Sequence, residues 1–138
     1  MWLELRNATR CFGERRALDG VGFGLDEGEI GCLLGPSGCG KTTALRCIAG
    51  LETLDGGAIL SRGRLLEGPG VHVPPHERGI GLVFQDHALF PHLSALGNVE
   101  FGLRHLARAA RRARAGEMLE LVGLADRADA YPAQLSGG

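Results

Sequence analysis

Apolar and polar side chains alternate in the first part of the chain. Residues 2–6 read Trp-Leu-Glu-Leu-Arg, and shorter stretches of the same kind follow at 17–18 and 21–25. A two-residue period is typical of a strand that buries one face. The pattern therefore predicts a small antiparallel β layer, with a turn at residues 11–14.

Two later runs are apolar without interruption. Residues 30–34 and 80–84 each read as a strand that is buried on both faces, as strands of a parallel sheet are. Residues 41–50 carry apolar side chains at helical spacing, with Gly50 as a stop. A strand, a glycine-rich loop and a helix are therefore predicted in succession.

Shorter elements are predicted between these runs. A turn at 55–57 leads into a strand at 58–61, with which residues 64–66 can pair. Residues 67–79 are rich in glycine and proline, so a loop is predicted there.

The period becomes helical after residue 91. Helices are predicted at 93–106 and 111–122, with Gly123 as a C-terminal cap, and a short piece follows at 125–130. No strand is predicted between these helices, so we expect a separate helical lobe. The predicted division of the chain is 1–86 and 87–138.

The glycine-rich loop carries the most specific motif. It satisfies the pattern G-x-x-x-x-G-K-[ST] with Gly35, Pro36, Ser37, Gly38, Cys39, Gly40, Lys41 and Thr42. The glycines allow backbone N–H groups to wrap phosphate oxygens, and the lysine ammonium reaches the β- and γ-phosphates. The threonine hydroxyl is a ligand for the Mg²⁺ that such phosphates carry. The motif predicts a binding site for a nucleoside triphosphate.

The flanking elements favour this interpretation over an ordinary glycine-rich turn with a surface lysine. A helix that begins at Lys41 directs its positive dipole end and free N–H groups at a bound anion. Lys41 is also the single lysine in a chain with fourteen arginines.

Two further candidates come from position alone. Gln85 directly follows the apolar run 80–84, and ligands of open α/β sheets lie outside the carboxyl ends of the strands. Its amide can face a γ-phosphate or a hydrated Mg²⁺, although a polar residue that simply ends a strand is the commoner explanation. Phe12, in the turn, either stacks on an adenine base or closes a hairpin core.

The composition is that of a globular domain, with 138 residues, 44% apolar residues, a net charge of −1 and a pI near 6.5. This balance gives no general reason to expect nucleic acid as a partner. The arginines within 104–114 are expected on a solvated helix face. No apolar run approaches the roughly 18 residues of a membrane span, and no signal peptide is recognised, so a cytoplasmic location is expected. The four cysteines form no C-x-x-C pair, which argues against a zinc or redox site.

Taken together, the motifs resemble those of the ATP-binding subunit of ABC transporters. The match consists of the phosphate loop 35–42, then Gln85, then the signature Leu135-Ser136-Gly137-Gly138, in the family's order. The resemblance implies an α/β fold, with a P-loop NTPase (RecA-like) core, an N-terminal antiparallel β layer and a helical subdomain. It also implies ATP and Mg²⁺ as cofactors.

The resemblance assigns roles to individual residues. Phe12 lies where the family stacks an aromatic ring on adenine, and Thr43 belongs to the phosphate-binding segment with Thr42. In the family's head-to-tail dimer, Ser136, Gly137 and Gly138 lie at the γ-phosphate held by a second ATP-binding subunit. Lys41 and Gln85 are the expected catalytic residues, and Thr42 and Gln85 the expected contacts of Mg²⁺.

Finer resemblance favours importers that a periplasmic or extracellular solute-binding protein supplies. Residues 37–43, 46–52 and 73–92 look most like the ferric-iron group, followed by polyamine, sulfate and molybdate importers. The segment 87–103 looks like the part that meets the membrane-spanning permease. The expected location is thus the cytoplasmic face of the cell membrane.

One departure from the family pattern limits the expected activity. Family members continue beyond the signature into an apolar strand that ends in Asp-Glu, and later carry a histidine that contacts the γ-phosphate, whereas this sequence has neither. We expect the N-terminal part of a longer subunit, truncated after the signature motif, that binds MgATP weakly and hydrolyses it negligibly. The alternative is a nucleotide-binding module without turnover. Relatives that act on DNA or ribosomes are a weaker alternative, and a GTPase is disfavoured because its base-reading motif needs a second lysine.

Overall fold

The computed structural model describes residues 1–85 and 88–135. By their internal contacts, the residues divide into two compact units, Met1–Val83 and Phe84–Gly138.

A five-stranded antiparallel sheet forms most of the first unit. Its strands are β1 (Leu3–Phe12), β2 (Arg15–Leu25), β3 (Gly56–Ser61), β4 (Arg64–Gly68) and β5 (Val71–His72), in the spatial order β2-β1-β3-β4-β5. Because β1 pairs with β2 on one side and β3 on the other, the predicted antiparallel layer is confirmed.

The helix α1 (Lys41–Ala49) shares its core with this sheet. Leu5, Leu18, Ile59 and Leu66 from the strands are each at most 2% exposed and form one cluster with Cys47 of the helix. Burying a side chain of this size contributes about 1.5–3 kcal/mol. The predicted stop at the end of α1 is also confirmed, since the residue after Ala49 is a glycine with a φ of 82°.

Both predicted parallel strands are absent from the described structure. Residues 30–34 and 80–84 have no strand hydrogen bonding, and Ile30, Leu34 and Val83 are 98%, 87% and 96% exposed. An apolar run becomes a strand only when neighbouring strands accept its backbone hydrogen bonds. None of the five described strands pairs with either run. The prediction of strands from these apolar runs was therefore wrong.

The predicted loop at 67–79 was also wrong in part. Strand β4 extends to Gly68, and β5 pairs back onto it with Glu67 opposite His72. The intervening Gly70 has a φ of 72°, as a tight turn requires. Pro75–Glu77 forms a single 3-10 turn. The glycines and prolines here mark turns between short elements, which composition does not distinguish from a loop.

The described residues of the second unit form two helices, near the two predicted helices but with shifted bounds. They are α2 (Ala95–Gly102) and α3 (Arg108–Leu121), followed by 3-10 turns at Ala125–Arg127 and Pro132–Gln134. Ser94 caps α2 by accepting a hydrogen bond from the Gly97 N–H at 3.2 Å. A small core of Ala95, Leu96, Ala115 and Leu119 joins the two helices. Among the described residues, no helix has the length and apolar character to cross a bilayer.

Candidate functional site

The glycine-rich loop leads directly into α1, which begins at Lys41. Gly35, Gly38 and Gly40 have φ angles of 155°, 80° and 96°, which residues other than glycine rarely adopt. A Cβ on Gly40 would lie 2.1 Å from the carbonyl oxygen of Ala17 on β2. The loop therefore approaches the sheet at a distance that only glycine permits.

The start of α1 presents backbone donors at the end of the loop. Gly40 is the N-cap residue, and no side chain in the described part of the chain caps it. Ala44 donates its N–H to the Gly40 carbonyl at 2.9 Å, so the N–H groups of the preceding turn have no acceptor within the helix. These donors and the positive end of the helix dipole favour an anion here.

The ammonium group of Lys41 folds back over the same loop. Its Nζ donates to the carbonyl oxygens of Gly35 and Pro36, at 2.7 Å each, and lies 3.4 Å from Sγ of Cys39. A positive charge, the helix-start donors and a backbone without Cβ atoms thus converge. These residues fit the phosphate chain of a nucleotide.

The described residues also bear on the expected magnesium site. Thr42 is exposed and Thr43 half-buried at the start of α1. The described part of the chain contains no cluster of three or more His, Cys, Asp or Glu that could hold a metal ion. Mg²⁺ commonly keeps several waters and binds through phosphates with few protein ligands, and the contact of Thr42 with this ion stays a prediction.

The β1–β2 hairpin reaches the loop through a residue that sequence reasoning missed. Arg15, which is paired with Phe12 in the hairpin, donates from its guanidinium to the Gly38 carbonyl at 2.8 Å. Phe12 is 45% exposed, and the Arg10 guanidinium lies 4.9 Å from its ring centroid. The hairpin end thus contacts the loop through Arg15 and carries the exposed Phe12 ring beside Arg10.

Carboxylates fix Arg10 in this position. Asp55 and Glu52 pair with its guanidinium at 3.0 Å and 3.1 Å. Asp55 also accepts the Cys11 backbone N–H at 2.6 Å, and this hydrogen bond, followed by the Arg10 guanidinium, lowers the pKa of the Asp55 carboxyl. The end of β1 is therefore tied to the chain just after α1. The sequence gives no sign of the ion pairs of Arg10 with Glu52 and Asp55, because the partners are distant along the chain.

The remaining predicted site residues are Gln85 and the three residues of the signature after Leu135. Gln85 follows the run 80–84 and falls in the second unit, after the division at Val83. Ser136, Gly137 and Gly138 lie outside the described residues. Their roles stay predictions.

A comparison with known families assigns the class of protein. A sequence profile described as ABC transporter matches residues 18–138, which is most of the chain and includes the loop and α1. The chain belongs to the ABC transporter family.

Similar curated relatives include import ATP-binding proteins. The chain is 49% identical to the Fe(3+) ions import ATP-binding protein FbpC of Streptomyces coelicolor, over 99% of this chain and 38% of that protein. It is 49% identical to the sulfate/thiosulfate import ATP-binding protein CysA of Methylococcus capsulatus, over 100% of this chain and 40% of that protein. It is 46% identical to the spermidine/putrescine import ATP-binding protein PotA of Roseobacter denitrificans, over 99% of this chain and 37% of that protein. The chain spans about two fifths of the length of these relatives.

Solved structures confirm the predicted fold class. The dimeric ATP-binding cassette MJ0796, in a post-hydrolysis state bound to ADP and Pi, matches with a TM-score of 0.83 and 34% identity, over 98% of this chain and 63% of that one. A second dimeric structure of this cassette, described as a bacterial ABC transporter cassette, matches with a TM-score of 0.85. The chain therefore has the α/β fold of ABC ATP-binding cassettes.

Proposed function

We propose that the chain binds MgATP at residues 35–43 and serves as the ATP-binding part of an ABC importer subunit. The observation that carries this proposal is the Lys41 ammonium, held over a glycine backbone at an uncapped helix start. A cation and free amide donors at one point are what a triphosphate needs.

Each predicted site residue has a role in this proposal. The backbone of Gly35, Pro36, Ser37, Gly38, Cys39 and Gly40 surrounds the phosphates. Lys41 neutralises the β- and γ-phosphates, Thr42 and Thr43 lie at the helix start, and Phe12 stacks on adenine. Gln85 orients water or a ligand of the magnesium ion. Ser136, Gly137 and Gly138 cap the γ-phosphate held by a second copy.

The proposed chemistry relies on positioning and electrostatics. Phosphoryl transfer spreads negative charge over the transferred group, and fixed donors stabilise that charge without reorganising. Mg²⁺, when bound, neutralises part of the same charge. Lys41 and the α1 dipole supply the part of this charge stabilisation that comes from the chain itself. ATP hydrolysis by the whole subunit would drive transport of a small solute.

The proposed solute class is broader than one compound. The similar relatives are named for ferric iron, sulfate/thiosulfate and spermidine/putrescine import, so they support import without selecting a solute. Our preference for ferric iron, over polyamine, sulfate or molybdate, rests on the sequence resemblance of residues 37–43, 46–52 and 73–92.

The proposed partners follow from the same assignment. They are ATP, membrane-spanning permease subunits, a second ATP-binding subunit and, indirectly, a solute-binding protein. Residues 87–103 are the proposed permease contact, which places the subunit at the cytoplasmic face of the membrane. A helical lobe at 87–138 that carries this contact is part of the proposal.

A titration of MgATP onto the purified chain tests the proposal. We expect saturable binding for the wild type and its loss in Lys41→Ala. Arg62→Ala is the matched control, because it also removes one positive charge but at a residue 69% exposed, paired with Glu27 at 3.2 Å. Phe12→Ala should weaken ATP more than inorganic triphosphate, because only ATP carries an adenine base.

Three outcomes would contradict parts of this proposal. Absence of saturable binding in the wild type would refute the nucleotide site. Equal binding by Lys41→Ala and Arg62→Ala would remove the role of Lys41. Rapid hydrolysis by the wild-type chain would overturn the expectation that turnover of this chain alone is negligible.

A further inference from the structure

A buried ion pair lies in the first unit, at the opposite end of α1 from the phosphate loop. The side chains of Arg78 and Glu67 are 0% and 6% exposed, and the Arg78 guanidinium contacts the Glu67 carboxylate through Nη2. Desolvating two charges is costly, and a buried pair is tolerated only when good geometry and further hydrogen bonds satisfy both groups. The contacts of this pair therefore indicate what it holds in place.

Arg78 binds the last turn of α1. Its Nη1 donates to the carbonyl oxygens of Cys47 and Ile48, at 2.8 Å and 3.2 Å, and its Nε donates to the Val73 carbonyl at 2.6 Å. The last carbonyls of a helix lack partners within it, and its C-terminus favours a cation. One planar guanidinium thus fixes the helix end to the segment that follows β5.

Glu67 fixes the guanidinium in turn. Its carboxylate accepts from the Leu54 N–H at 3.4 Å and lies 2.7 Å from Nδ1 of His72. A Cβ on Gly50 would lie 2.5 Å from Nε of Arg78, so the helix end leaves no spare room beside the guanidinium. The cluster joins α1, β4 and β5 at one buried point.

We propose that Arg78 is a positioning residue that couples the phosphate loop to the segment 79–83. This inference rests on the proposed function. Helix α1 spans nine residues, so about 13 Å separates its ends, with Lys41 at one end and the Arg78 contacts at the other. Residues 79–83 continue directly from Arg78 towards Gln85. The guanidinium would pass any displacement of α1 that nucleotide binding causes to this segment, because it holds the carbonyl oxygens of the last turn of α1.

Hydrogen exchange with and without MgATP tests the coupling. In the wild type we expect MgATP to slow exchange at residues 35–43 and also at 79–83. In Arg78→Met we expect the slowing at 35–43 to remain and the slowing at 79–83 to be lost, with MgATP bound about fivefold or more weakly, as for typical coupling between sites. Arg62→Met, an exposed arginine in the same unit, should behave as the wild type.

Two milder variants keep the proposal testable if Arg78→Met fails to fold. Arg78→Lys retains the charge but not the planar fork that reaches several acceptors, and Glu67→Gln retains the shape of the carboxylate. Both should weaken the slowing of exchange that MgATP causes at 79–83, whether or not they lower the urea midpoint of unfolding. A role in stability alone would lower the midpoint and leave the nucleotide response unchanged.

The outcomes separate this inference from the proposed function. The coupling is refuted, and the nucleotide site stands, if MgATP slows exchange in the wild type at 35–43 but not at 79–83. The coupling is also refuted if MgATP slows exchange at 79–83 equally in the wild type and in all Arg78 and Glu67 variants. If the wild type shows no response at 35–43, the proposed function fails and the coupling fails with it.

Discussion

The close approach of Gly40 to β2 makes a strong prediction about one methyl group. In Gly40→Ala the new Cβ would meet the Ala17 carbonyl oxygen at 2.1 Å and Cδ2 of Leu18 at 3.1 Å. Gly28→Ala is the matched control, because Gly28 also has a positive φ, of 83°, but a Cβ added there would meet no atom within 4 Å beyond its chain neighbours. Both variants add the same atom to the same backbone region.

The difference between the two variants can be estimated from the geometry. A left-handed alanine costs about 1–2 kcal/mol in either variant. Only Gly40→Ala places carbon roughly 1 Å inside the ~3.3 Å at which carbon and oxygen normally meet, and forced overpacking costs a further ~1–3 kcal/mol. We therefore expect Gly40→Ala to lose about 2–5 kcal/mol of unfolding free energy, against about 1–2 kcal/mol for Gly28→Ala.

Urea unfolding and MgATP titration together measure this prediction. The loop must move away from β2 to admit the methyl group, so Gly40→Ala should bind MgATP at least about tenfold more weakly, equivalent to about 1.4 kcal/mol. Gly28→Ala should bind as the wild type does. Equal losses of stability in the two variants, with wild-type MgATP affinity in both, would refute the claim that this contact positions the loop.

Two further predictions concern a buried thiol and a loop clamp. Burial raises the pKa of the Cys47 thiol from 9.0 to about 11, so between these values the folded chain keeps a proton that the unfolded chain releases, and stability falls as pH rises from about 9 to 11. Urea unfolding across that range should show a smaller fall in Cys47→Ala, and an equal fall would contradict the assignment. The Asn98 side chain accepts from the Phe90 N–H at 2.8 Å and donates to the Phe90 carbonyl at 3.2 Å, so Asn98→Ala should speed hydrogen exchange at the Phe90 amide. An unchanged exchange rate, with α2 intact by circular dichroism, would show that this clamp does not restrain the segment.

The local elements could be predicted because their signals lie within a few residues. The alternation at 2–6 gave β1, and the spacing of apolar residues at 41–50 gave α1 with its glycine stop. The phosphate-loop motif likewise placed a lysine at a helix start. The runs 30–34 and 80–84 were predicted as strands and are not, because a strand depends on partners that an apolar run does not specify.

The sequence by itself determined the phosphate-binding motif, the antiparallel layer and the helices that follow, since sterics, period and glycine placement act over short stretches. The tertiary structure alone decided which of the fourteen arginines matter at the site. Arg15 meets Gly38, and Arg78 is buried at the end of α1, although neither differs chemically from the exposed arginines. Burial and long-range hydrogen bonds distinguish them, and both arise only when distant parts of the chain meet.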